Sequence, residues 1–173
     1  MACHYASAIN GNIHVLVPGK LILFPSPEKL PPGKWWVDTP HLEEAVARRF
    51  SAAFLADVLS ELEVSAVACL GKMCWSDAAA FSARGLDVHD LHLDPRRPGL
   101  LSAMDRLLAV TAAAPGAVAL YGGGRGGADA PEYVGTLATA WLVGEYGFGA
   151  GAAGAWVGML YPALAAQGGC GSG

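Results

Sequence analysis

Between Tyr121 and Val134 the chain has no Cys, Ser, Thr, His or Lys. The absence matters because of where it falls. Apolar Ala117 to Leu120 reads as a buried strand, residues 122–127 form a glycine-rich loop, and a helix begins near Val134. In α/β proteins that order turns backbone N–H groups and a helix N-terminus toward an anion, usually a phosphate. Without a hydroxyl, thiol or imidazole the loop has no ready nucleophile, and without Lys it has no ammonium to grip phosphate. Gly-Lys-Ser/Thr is missing and no Mg²⁺ ligand follows, which argues against a nucleotide-binding loop.

Other shortages exclude whole classes. Charged residues make up 15% of the 173, with 11 Lys and Arg against 15 Asp and Glu, a net charge of −4. The pI is near 5.6, and no Lys/Arg cluster offers a nucleic-acid footprint. Cysteine is sparse: Cys3, Cys69, Cys74 and Cys170. Cys69 and Cys74 lack a matching Cys or His pair, which argues against zinc, and no other metal or cofactor is expected. Cys69 closes an apolar run and reads as a buried, reduced thiol. The N-terminus lacks a basic stretch followed by an apolar one, so a reducing, cytoplasmic setting is expected. After Glu145 charge disappears altogether, but the run is Gly- and Ala-rich and holds Pro162, a poor composition for a membrane span.

What is plentiful is apolar: 53% hydrophobic residues, enough for one core. A single domain is expected over 8–166, with short tails at 1–7 and 167–173. Ile13 to Phe24 reads as a hairpin about Pro18-Gly19. Pro25 to Pro40 reads as a connector whose Trp35-Trp36 forms a lid packed on the core. His41 to Glu63 has helical spacing in Val46, Phe50, Phe54, Leu55, Val58 and Leu62. Val64 to Leu70 is an apolar strand, and Ser76-Asp77 caps a short helix through Arg84. Gly85 to Leu93 is a second strand; its His89 and His92 face away from the apolar set and read as surface residues. A loop at 94–99, a helix from Ser102 to Ala113, the Ala117 strand, and helices over Val134–Tyr146 and Ala150–Leu160 complete the chain. The alternation predicts an α/β fold: a central, mostly parallel sheet with helices on both faces.

With these elements placed, the chain resembles the dual-specificity protein tyrosine phosphatases of the mitotic-exit (cell-division-cycle fourteen) type. Val17-Pro-Gly-Lys-Leu-Ile-Leu-Phe24 resembles the family's opening hairpin. Leu86-Asp-Val-His-Asp-Leu-His-Leu-Asp-Pro-Arg-Arg-Pro98 resembles the strand leading to its general-acid loop. Gly116-Ala-Val-Ala-Leu120 resembles the strand before the active loop, Gly135 to Phe148 the helix after it, and Ala155 to Pro162 the next helix. The likeness keeps its order over nearly the whole chain and implies a protein tyrosine phosphatase-like fold.

The family's chemistry needs a Cys thiolate at a helix N-terminus, an Arg six residues on, a loop of converging amides and an Asp acid. Here the His-Cys pair is replaced by Tyr121-Gly122, so the nucleophile position is Gly122. The phosphate-Arg position falls on Ala128, and Arg125 stands three residues early on a loop about five residues too long. Asp94 matches the general acid. Gly158 and Tyr161 stand where later basic residues are expected, with Gln167 nearby. The resemblance therefore implies a degenerate active loop with no catalytic residues: a pseudophosphatase. Arg125, Arg96 and Arg97 remain as candidate contacts for an acidic or phosphorylated segment. The acids at Asp129 and Glu132 oppose an anion at that helix start, so free phosphate is expected to bind no tighter than the millimolar range.

Two functions stay open. One is a catalytically inactive domain kept as a protein-binding or structural module, whose partners the resemblance places in a cytoskeletal, axonemal or ciliary assembly. The other is an active phosphatase using Asp129 or Cys74 as nucleophile, or a reader of phospho-ligands. Trp156 is expected to be buried, and Val67, Leu91 and Val118 to lie on adjacent strands at the sheet centre.

Overall fold

The structure is a computed structural model and describes residues 2–7, 10–39, 47–71, 73–91, 99–122 and 131–160. Its elements are α1 (Ala2–Tyr5), β1 (His14–Val17), β2 (Leu21–Leu23), β3 (Trp36–Thr39), β4 (Ala47–Phe50), α2 (Ala52–Glu61), β5 (Val64–Cys69), α3 (Trp75–Ser82), β6 (Asp87–Asp90), α4 (Leu100–Ala113), β7 (Ala117–Tyr121), α5 (Pro131–Tyr146) and α6 (Ala150–Leu160). The main sheet has the order β1-β2-β7-β5-β6. β1 pairs antiparallel with β2, while β2–β7, β7–β5 and β5–β6 are all parallel. This is the α/β architecture expected from the sequence.

Parity along each strand explains the two layers of core. Successive side chains of a strand point to opposite faces. Leu21, Leu23, Ala66, Ala68, Val118 and Leu120 join one cluster, with Ala103 and Leu107 of α4, Trp141 of α5 and Val157 of α6. Ile22, Val67, Cys69, Ala117, Ala119 and Tyr121 join the other, with Leu55 and Leu59 of α2 and Phe81 of α3. β7 sits between β2 and β5 with every residue buried, which is why its sequence is unbroken apolar rather than alternating.

Tight turns set the strand starts. Gly19 closes the β1–β2 hairpin at φ +69°, a left-handed conformation open to glycine. Gly116 answers a different demand: a Cβ there would lie 2.6 Å from the carbonyl oxygen of Glu63. Its N–H instead donates to Ser65 Oγ at 3.0 Å, tying the start of β7 to that of β5.

Four local expectations are corrected. The helix expected from His41 begins only at Ala52, where Ser51 is the N-cap and its Oγ accepts from Phe54 N at 3.3 Å. The residues before it form β4, paired antiparallel with β3 through Trp36↔Phe50 and Asp38↔Arg48; residues 41–46 lie outside the described ones. Trp36 therefore opens a strand rather than lying in a connector, and the Trp35-Trp36 pair is half exposed, at 51% and 46%, with Trp35 packed edge-to-face on Phe54. α3 is capped at Cys74 with no side-chain hydrogen bond, so Ser76 and Asp77 lie inside its first turn.

The fourth concerns the sheet centre and Trp156. Val67 and Val118 do lie on neighbouring central strands. Leu91 follows β6, which is the outer strand, and its N–H extends the ladder to Cys69 O at 2.8 Å. Trp156 is 42% exposed. α6 lies over the β1 edge, and the indole Nε1–H donates to Leu16 O at 3.2 Å. The ring covers an edge-strand carbonyl rather than filling the core. The buried indole is Trp141, donating to Thr111 Oγ1 at 3.1 Å. Among the described residues no helix is long and apolar enough to cross a membrane.

Candidate functional site

Parallel strands bring their C-terminal ends to one edge, and α/β sheets place ligand sites there. At this edge β2 ends at Leu23, β5 at Cys69, β6 at Asp90 and β7 at Tyr121. Backbone bonds stitch the ends together: Phe24 N donates to Leu120 O at 3.2 Å and Leu70 N to Tyr121 O at 2.8 Å. Ser26 Oγ then donates to the carbonyl of Gly122. Gly122, which the family resemblance aligns with the nucleophile, thus follows the central strand directly and is bonded to the segment after β2. It has no side chain to act.

Tyr121 is the last side chain of β7, and it turns inward. It is 1% exposed, with its ring 4.8 Å from Phe24 and 6.2 Å from Phe81, centroid to centroid. Its buried hydroxyl faces Cys69, a weak sulfur partner, and makes no hydrogen bond of normal geometry among the described residues. Burial pushes its pKa far above the ordinary tyrosine value, and the nearby Cys69, Asp77 and Asp90 push the same way. The phenol stays protonated at any working pH.

Asp77 is half-buried in the first turn of α3, and desolvation raises its pKa against the lowering effect of Ser76. Cys74 is exposed and lies 3.1 Å from Ser76 Oγ, a contact that lowers its thiol pKa. Its position is the N-cap of α3, one strand removed from the β7–α5 junction. Sequence reasoning gave Ser76 and Asp77 that capping role; the apolar start of α3 at Trp75 offered no signal to move it. Cys69 is buried, as expected. His89 pairs in register with Ala68 and is half-buried on β6.

Asp94, Arg96, Arg97 and His92, and likewise Arg125, Ala128 and Asp129, lie outside the described residues, as do Tyr161 and Gln167. Gly158 lies on α6 and lines an apolar groove of about 690 Å³ against α5. Among the described residues no group of three or more His, Cys, Asp or Glu is placed to hold a metal ion.

Comparison with solved structures bears on the fold. The chain superposes on Tk-PTP in its active form with a TM-score of 0.52 and 17% identity, covering 87% of this chain and 85% of that one. This is the protein tyrosine phosphatase fold. A variant of human DUSP28 matches at a TM-score of 0.49 and 15% identity over 87% and 83% of the two chains. TpbA of P. aeruginosa in complex with pTyr matches at 0.46 and 18% over 74% and 80%. No protein-family model matches the chain, and no curated protein does.

Proposed function

We propose that this is a phosphatase-fold domain without phosphatase chemistry, kept as a protein-binding module. The observation that carries the reading is the end of β7. The strand that should present a thiolate ends in Tyr121, sealed in the core as a neutral phenol, and Gly122. In-line displacement through a covalent phosphoenzyme requires an attacking atom, and oriented amides alone cannot supply one. Ala128 at the phosphate-Arg position removes the bidentate contact that would hold the phosphoryl oxygens. Losing both while the strands, helices and two core layers persist is what a domain selected for its surface would keep.

The resemblance to mitotic-exit phosphatases makes a cytoskeletal or ciliary assembly the address we propose for its partner. The finer kinship with that phosphatase type, and the vestigial role of Asp94, belong to the same proposal.

The test is turnover of an aryl phosphate by the purified chain, alongside Gly122→Cys/Ala128→Arg and Cys74→Ser. The native chain is expected to stay at the buffer rate. A native rate well above buffer, sensitive to vanadate, overturns the reading; its loss in Cys74→Ser would assign the chemistry to the α3 thiol.

A further inference from the structure

A second cavity, of about 670 Å³, opens on the outer side of α2. Tyr5, Trp35, Trp36, Phe54, Asp57 and Glu61 line it together with Arg48. None of these belongs to the strand ends around Gly122, so the cavity does not depend on how the β7 edge is read.

Its wall is aromatic and its charges are nearly all paired. Asp57 bonds Arg84, and Asp38 at its margin bonds Arg48 Nε at 2.8 Å. Glu61 differs. It is exposed, its Oε2 accepts from Tyr5 Oη at 2.8 Å, and among the described residues no cation pairs with it. The Tyr5 hydroxyl is held protonated by that bond, its pKa raised, so it orients the carboxylate without adding charge. On the wall of the same cavity Trp35 is half exposed, its ring edge-to-face with Phe54 at 6.3 Å.

The molecule already shows what such a surface accepts. The Arg48 guanidinium lies 5.3 Å from the Trp36 ring centroid while its Nε–H bonds the Asp38 carboxylate. A guanidinium can do both at once because it is planar: it stacks on the indole face and donates in its own plane. An ammonium meets only the electrostatic half of that demand, and an anion would meet Glu61 head-on.

We propose that the cavity receives an arginine side chain of a partner polypeptide, stacked on Trp35 and bonded to Glu61. Trp35-Glu61 would repeat for the guest what Trp36-Asp38 does for Arg48.

Indole N–H resonances of the ¹⁵N-labelled chain report on this directly, titrated with N-acetyl-arginine amide, N-acetyl-lysine amide and N-acetyl-citrulline amide. The expected result is movement of the Trp35 and Trp36 signals, with Trp75 and Trp141 still. Arginine should bind severalfold more tightly than lysine, and citrulline, with the same shape but no charge, should bind weakest. Glu61→Gln, which keeps an acceptor for Tyr5, should weaken arginine binding roughly fivefold or more, and Trp35→Ala should abolish the preference over lysine. Glu145→Gln, distant on α5, should change nothing. Still indoles, equal binding of arginine and citrulline, equal binding of arginine and lysine, or undiminished affinity in Glu61→Gln would each overturn the proposal. None of those outcomes bears on the absence of turnover, which is measured separately.

Discussion

Among the described residues Tyr121 stands out for a buried hydroxyl with no hydrogen bond of normal geometry. A hydroxyl buried without a good partner loses its water and gains little in return. Removing it should therefore help: Tyr121→Phe is expected to raise stability by about 1 kcal/mol in urea unfolding, and a loss of that size would show that the hydroxyl is satisfied. The two indoles make a contrasting pair. Trp141→Ala opens a cavity under α5 and is expected to cost about 3–5 kcal/mol, whereas half-exposed Trp156→Ala should cost clearly less; equal losses would place α6 wrongly. His14 gives a pH signature. Burial lowers its pKa, so below about pH 6.5 the unfolded chain takes up a proton that the folded chain resists. Stability should fall as pH drops from neutrality through that window, and His14→Gln should flatten the fall.

At the scale of elements, the central strands and long helices were legible because burial on both faces writes an unmistakable apolar run, as in Val64 to Leu70 and Ala117 to Leu120. The hairpin β3–β4 was not. Val46, Phe50 and Phe54 lie at helical spacing, and the pattern hid a boundary that Ser51, a good N-cap residue, marks correctly. Ser51→Ala is expected to destabilise by about 1 kcal/mol, with no change if the helix truly began upstream. Trp156 misled for a related reason: an aromatic on an amphipathic helix is read as core, but α6 sits over a sheet edge, where the ring stays partly exposed and its N–H donates to Leu16 O. Gly116 went unnoticed as a packing residue, since only the approach of Glu63 reveals why no Cβ fits there.

Over the whole molecule, the order of strands and helices was enough for an α/β parallel sheet and the family resemblance named the fold, while the site was legible chiefly through what it omits. The absent thiol needed no structure to be seen. The inward seat of Tyr121 did, because a strand-end tyrosine is as often a surface residue, and so did the Glu61 cavity, whose members are scattered from Tyr5 to Glu61 and are gathered from α1, α2 and the β3–β4 pair. The account as a whole stands on one claim, that the β7 edge cannot form a covalent phosphoenzyme. Its most direct measurement is the intact mass of the chain after rapid acid quenching from saturating aryl phosphate. The account expects the unmodified mass at every quench time. An adduct of one phosphoryl group, mapped to Cys74 or to any residue of 121–134, would contradict it.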